Sequence, residues 1–362
     1  MHRRTLLKAF PAAGLAASLP YLARAQSATP ALPTGWRTFE VTSRIEVAKP
    51  AGQARVWMPL PLALDTDYFR TLANRWSGNA EQVEMVIDPT YRAAMASAQF
   101  KPGESAPVLE VVSRFAVRER NVELRSGAGM QATREELALA LKATELIPTD
   151  GIVRKTAEEA TKGARTDVAK ARAIYDWVVE NTFRDPKTRG CGVGDIKAML
   201  ENGVMGGKCA DLNALFVGLC RAAGVPARDV YGVRVVESPR GYKSMGRLGD
   251  ITKAQHCRAE FYAQEIGWVP VDPGDVRKVV LEEKPNLTLN DDVVKVMRSF
   301  LFGNWEGNWL AYNYAHDVRL PGAKGAPVPF LMYPQGETAE GRLDALDPDN
   351  FKYKLTSREV TA

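Results

Sequence analysis

The 362-residue sequence is poor in the residues that build metal centres and disulfide frameworks, with only four cysteines and three histidines. No CxxC or HxxxH pair occurs, which argues against a metal centre. Four cysteines are also too few to staple a small scaffold. No apolar run reaches the roughly 20 residues needed to span a bilayer. Acidic residues are missing from residues 1–25, where Arg3, Arg4, Lys8 and Arg24 lie. Outside that stretch basic and acidic groups nearly balance, so the formal charge of +5 offers no support for nucleic-acid binding. Repeats and low-complexity tracts are absent as well. What remains, at 45% hydrophobic and 25% charged residues, is an ordinary globular composition whose length suggests two domains.

The opening residues form an address. His2-Arg3-Arg4-Thr5-Leu6-Leu7-Lys8 is basic, Ala9 to Leu22 is weakly apolar, and Ala23-Arg24-Ala25 is a small-x-small cleavage signal. The arginine pair with its following leucines resembles a twin-arginine export signal, which implies cleavage before Gln26 and a periplasmic product. A membrane anchor is the alternative; Pro11, Pro20 and the shortness of the apolar stretch oppose it, so no stable membrane insertion is expected after cleavage.

Residues 26–36 read as a linker. Phe39, Val41, Ile45 and Val47 alternate with polar residues, as do Leu109 to Val117, and shorter strands are expected at Arg55–Pro59 and Gln82–Ile87. An all-β, sandwich-like domain over 37–125 follows. Beyond Gly129 the period changes. Thr133-Arg134-Glu135-Glu136 is a capping box for a helix to about Leu146, a second helix runs to about Lys162, and Thr166 or Asp167 caps a third. Strand character returns at Val230–Val236 and His256–Asp272, which makes residues 130–283 an α+β core and leaves 284–362 as an extension that completes or packs on it.

The chemistry concentrates in residues 203–228. Leu212, Leu215, Phe216, Leu219, Cys220 and Ala223 form one helical stripe, ended by Gly224 and Pro226. Cys209 stands in the first turn of this helix, where unpaired N–H groups and the positive dipole end favour thiolate. Gly206 and Gly207 free the backbone just before it. A thiolate that attacks a carbonyl needs a proton donor for the leaving group, and histidine is the residue suited to it. His256 opens a strand that Trp268-Val269-Pro270-Val271-Asp272 can join as an antiparallel neighbour. A loop of Ala263-Gln264-Glu265 sets His256 directly opposite Asp272; a five-residue loop sets them diagonal, still within reach.

Gly207-Lys208-Cys209-Ala210-Asp211, the stretch Arg221 to Arg228, the His256 strand and Trp268 to Pro273 together resemble the transglutaminase-like superfamily, papain-like enzymes with Cys, His and Asp in that order. The resemblance covers roughly residues 133–275. It implies Cys209 as nucleophile, His256 as acid and base, and Asp272 as orienting carboxylate, with no cofactor and no metal; the preceding β domain looks like the N-terminal sandwich of bacterial members. No side-chain oxyanion donor can be matched, which leaves the Cys209 backbone N–H. The implied reaction is acyl transfer on peptide or glutamine-type amides of a protein or peptide substrate through a thioester on Cys209, hydrolysis being slightly preferred to cross-linking. An inactive scaffold or peptide-binding protein is the alternative.

Other residues draw structural readings. Cys220 falls on the apolar stripe; Cys257 points away from His256; Cys191 lies in a loop from which it can pair with Cys257 or Cys220. Asp211 favours the helix dipole, and Arg228 reads as an ion-pair partner. His316 is a surface or aromatic-cluster residue rather than the base, and Trp305, Trp309, Tyr312 and Tyr314 read as core, or else as walls of a peptide cleft.

Overall fold

Strict alternation buries Phe39, Val41, Ile45 and Val47 on one side of the strand Arg37–Val47. That strand pairs antiparallel with Val108–Val117 on one edge and with Phe351–Glu359 on the other. The sheet is completed by Phe69–Gly78 beside Val108–Val117 and by Gly249–Asp250 beside Phe351–Glu359. A second antiparallel sheet holds, in order, Gly341–Leu343, Gln335–Thr338, Arg55–Pro59, Ala94–Gln99 and Gln82–Ile87. Apolar residues of both sheets, among them Phe39, Phe69 and Phe115 against Val56, Met58, Ala96 and Ala98, fill one layer, as in a sandwich. Two of these strands escape the sequence pattern. Phe69–Gly78 is mostly solvated beyond its first residue, and Ala94–Gln99 is built of small residues.

The computed structural model describes residues 35–361, and the chain from Gly35 onward clusters as one unit. The export signal expected at 1–25 and the linker up to Thr34 lie outside the described residues.

Seven α-helices occur among the described residues: α1 (Arg134–Leu139), α2 (Gly151–Ala160), α3 (Asp167–Asn181), α4 (Ile196–Asn202), α5 (Cys209–Ala222), α6 (Pro273–Glu282) and α7 (Asp292–Phe300). They accompany an antiparallel sheet ordered Gly267–Val271, Gln255–Ala263, Ala227–Arg234, Trp309–Asn313. The stripe Leu215, Phe216, Leu219 and Cys220 of α5 packs with Ala259, Phe261, Val269 and Val271 of this sheet. The fold is thus α+β, with helices packed on an antiparallel sheet and a β-rich sandwich. On the other side Val230, Val233, Trp309 and Leu310 share the apolar layer of the sandwich.

The capping box of Thr133 and Glu136 is present in both directions, at 3.2 and 2.8 Å, yet α1 stops at Leu139 rather than near Leu146. The following carbonyls are claimed elsewhere: Ala140 accepts from Ala227 N–H and Lys142 from Arg221 Nη1. Residues 284–361 supply α7, one strand of the central sheet and three strands of the sandwich. No helix of the described residues is long and apolar enough to cross a membrane.

Candidate active site

Cys209 is the first residue of α5. Gly206 and Gly207 deliver it through a short parallel pairing with Phe183 and Arg184. Neither glycine has a positive φ; what they supply is room. A Cβ on Gly206 would lie 2.4 Å from the Phe183 ring, and one on Gly207 2.6 Å from Asp211 Cβ. Asp211 does more than favour the dipole, since its carboxylate accepts from the N–H groups of Lys208 (2.9 Å), Val193 (3.0 Å) and Gly194 (2.9 Å). It thereby ties the loop after Cys191 to the start of α5.

His256 lies on the strand Gln255–Ala263, but the register is not the directly opposed one. Ala263 faces Gly267 and Ala259 faces Val271, so the loop is Gln264-Glu265-Ile266 and Asp272 falls level with Arg258, diagonal to His256. Asp272 has left the strand to become the N-cap of α6, accepting from Asp275 N–H at 3.0 Å through Oδ1. Its other oxygen lies 2.7 Å from His256 Nε2, which leaves Nδ1 of the imidazole for the sulfur. Asn213, fully buried on α5, donates from Nδ2 to Cys257 O (2.8 Å) and to Asp272 Oδ1 (3.2 Å). One amide therefore joins the cysteine helix, the histidine strand and the aspartate cap.

A second carboxylate stands behind the imidazole. Asp275 Oδ2 is 3.4 Å from His256 Nε2 and is ion-paired with Arg234, while Arg258 Nε lies 3.9 Å from Asp272. Burial and Arg234 act to lower the His256 pKa, but Asp275 and Asp272 outweigh them and hold it above the ordinary value. Burial and Asp275 push the Asp272 carboxyl up against the pull of His256 and Arg258. Asp275 is itself held low despite burial, chiefly by Arg234. His256, Asp272 and Asp275 are the one group among the described residues with enough converging ligand atoms for a metal. With Arg234 and Arg258 already neutralising the carboxylates, this group is an ion-pair network rather than a vacant ligand set.

The sulfur has company that the sequence reading missed. All four cysteines are free, so Cys191 pairs with neither Cys257 nor Cys220. Instead Cys191, Cys209 and Cys257 share one buried cluster with Tyr231 and Tyr333. Cys191 is fixed there: its N–H donates to Tyr333 Oη (2.9 Å), its carbonyl accepts from Ala210 N–H (2.9 Å), and its Sγ lies 3.2 Å from Gln255 O. Hydrogen bonding from Cys191, then from Cys257, holds the Cys209 thiol well below its ordinary pKa against burial, and the His256 hydrogen bond and charge add to this. The Cys209 sulfur and then burial push the Cys191 thiol the other way, and burial and then the Cys209 sulfur do the same to Cys257. Of the three thiols, Cys209 is the one poised to ionise.

Cys209 and His256 line a polar cleft of about 340 Å³. A second, apolar hollow of about 360 Å³ adjoins it through Cys191, Lys208 and Gln255 and is walled by Tyr333, Leu346, Pro348, Phe351 and Tyr353. The tyrosines of this hollow thus come from the last fifth of the chain. Trp305, Trp309 and Tyr312 are core residues, each about 1% exposed. Arg228 pairs with Glu260 at 2.6 Å between the rings of Trp268 and Tyr314. His316 lies in an aromatic cluster with Tyr91 and Tyr231, and Cys220 is core.

Residues 154–273 match the Transglutaminase-like superfamily. An uncharacterized protein of Haemophilus influenzae is 32% identical over 358 residues, 94% of this chain and 96% of its own. Among solved structures, a candidate cysteine protease from Cytophaga hutchinsonii superposes with a TM-score of 0.54 at 13% identity, covering 90% of this chain and 92% of that one. The periplasmic domain of TgpA from Pseudomonas aeruginosa is a weaker likeness, with a TM-score of 0.35 at 16% identity over 66% of this chain and 92% of that one. With a matching core and a relative aligned over nearly its whole length, the chain belongs to the transglutaminase-like superfamily.

Proposed function

We propose that the protein is a cysteine-dependent acyl-transfer enzyme acting on peptide amides, with Cys209 as nucleophile, His256 as acid and base, and Asp272 as the carboxylate that orients the imidazole. The observation that carries this reading is a thiol at a helix start, held low by its neighbours, beside an imidazole whose Nε2 sits 2.7 Å from a buried aspartate.

In the reaction the Cys209 thiolate adds to the amide carbonyl carbon. The electron pair of the C=O moves to oxygen, where the Cys209 main-chain N–H stabilises it. Collapse breaks the C–N bond as the imidazolium of His256 delivers its proton to the departing nitrogen. The result is a thioester on Cys209 and a free amine. Water, losing a proton to His256, then attacks the thioester, releases a carboxylic acid and restores the thiolate–imidazolium pair. An amine in place of water gives transamidation. Hydrolysis is the preferred outcome, and the leader-like pattern of residues 1–25 supports a periplasmic setting for it.

Alkylation of the purified protein with iodoacetamide across pH tests the sulfur. Cys209 should label preferentially near pH 6, and His256→Ala should abolish that preference. Equal and slow labelling of all four thiols would favour the inactive scaffold. Incubation with glutamine- and lysine-containing peptides, followed by mass and ammonia release, separates hydrolysis from cross-linking.

A further inference from the structure

The cleft around Cys209 and His256 carries a charge that the composition of the chain conceals. Its lining includes seven lysines and arginines, and Glu282 is the single acidic residue there. Arg184 and Lys278 share Glu282, and Arg234 is taken up by Asp275. Lys208, Lys243, Arg247 and Lys253 make no salt bridge among the described residues, where acidic partners elsewhere are common. They do not come from one basic run. Lys208 precedes α5, while Lys243, Arg247 and Lys253 lie on the segment leading from the strand Ala227–Arg234 to the histidine strand. Lys278, on α6, adds a cation 16% exposed whose pKa is lowered by burial and by Arg234.

Convergent like charges cost folding energy unless an anion visits them, and in a concave site their fields add. The anion is identified by what lies beside it. The sulfur at the cleft attacks carbonyl carbon, so the visiting charge travels on the same molecule as an amide. We propose that the cleft selects peptides bearing carboxylates next to the amide that reacts, through Lys208, Lys243, Arg247 and Lys253. This inference rests on the acyl-transfer reading of Cys209.

The test compares two alkylating reagents on the full chain: iodoacetate, an anion, and iodoacetamide, its neutral counterpart, with glutathione as the reference thiol. Both need the same thiolate, so the ratio of their rates cancels the thiol pKa and reports the local field. The ratio at Cys209 should exceed that of glutathione by about tenfold at low salt and fall toward it near 0.5 M salt. It should also fall in an Arg247→Glu/Lys253→Glu variant, two exposed positions. Rapid labelling by iodoacetamide with a ratio no higher than that of glutathione overturns the charge selection and leaves the acyl-transfer reading standing. Failure of both reagents to prefer Cys209 removes that reading and this one with it. Among occupants, an octapeptide of alternating Glu and Ala should protect Cys209 from iodoacetamide, while its Gln/Ala and Lys/Ala counterparts should not. Better protection by an octathymidylate than by the acidic peptide would overturn the assignment to peptides.

Discussion

Two buried histidine–aspartate pairs lie among the described residues, and they differ in almost everything except composition. His256 and Asp272 meet in a hydrogen bond at 2.7 Å, with Asn213, Asp275, Arg234 and Arg258 fixing and charging the surroundings. His316 lies 3.2 Å from Asp229 in poor hydrogen-bonding geometry; both Asp229 oxygens and His316 Nε2 lack a hydrogen-bond partner. Tyr91 and Tyr231 pack edge-on against its ring, and Tyr231 also belongs to the cluster that contains Cys209 and Cys257. A carboxylate beside an imidazole is therefore not a site in itself. What sets the pair at His256 apart is the sulfur of Cys209 beside it and the cleft that both line.

The most forceful way to break this contrast is to delete each imidazole. His256→Ala should lower peptide turnover by about 10²- to 10⁴-fold. His316→Ala should lower the melting temperature, because it empties a packed site, while turnover of the folded protein changes by less than about threefold. Equal loss of activity in both, measured at matched folded fraction, would erase the distinction.

The aspartates sharpen it. Asp272→Asn keeps an N-cap for α6, since asparagine caps as well as aspartate. Turnover should nevertheless fall on the order of 10²-fold or more, because the imidazole loses the anion that orients it. Asp229→Asn should leave activity within about threefold. Steady-state kinetics with circular dichroism as a folding control decides the matter.

The second carboxylate behind His256 gives a pH signature. Turnover should be bell-shaped, with the acid limb set by the lowered Cys209 and the alkaline limb by the raised His256. Asp275→Asn removes one of the two groups that raise His256, so the alkaline limb should move to lower pH. The same linkage touches stability. A histidine raised in the fold contributes stability that is fully present below its unfolded value near 6.5 and is lost as pH rises through the folded value. Thermal melts over that window should show a smaller acid-side gain in Asp275→Asn than in the native protein.

The smallest effect concerns the thiols. Cys191→Ala should move the acid limb of Cys209 alkylation upward, because the Cys191 hydrogen bond is the largest influence holding Cys209 low. Cys220→Ala, in the core of α5, should leave that limb in place and cost roughly 1–2 kcal/mol of stability.

Much of the site was legible because its signals are local. The helix from Cys209 shows in the spacing of Leu212, Leu215, Phe216 and Leu219, and its end in Gly224, whose φ is +80°. His256 and Asp272 could be associated because an antiparallel pair leaves few registers, and either one considered kept them in reach. The actual register was not legible, since loop length depends on where Ile266 turns, nor was α6, which begins at Asp272-Pro273 and turns the carboxylate into a cap. Cys191 and Tyr333 were invisible as neighbours of the sulfur: 142 residues separate them from each other, and no periodicity reports such a meeting. The basic cleft was hidden by averaging, because a near-zero overall balance carries no information about where charges converge.

The strand Phe351–Glu359 closes the sheet begun by Arg37–Val47, with Arg37 and Glu359 joined across 322 positions. During synthesis the early strand must wait with an open edge for a partner made roughly three hundred residues later, a slow and aggregation-exposed order of assembly. Phe351 and Tyr353 of that closing strand also wall the apolar hollow beside the thiol. A nascent chain therefore carries its cysteine-helix sequence well before it carries the residues that finish the wall of this hollow.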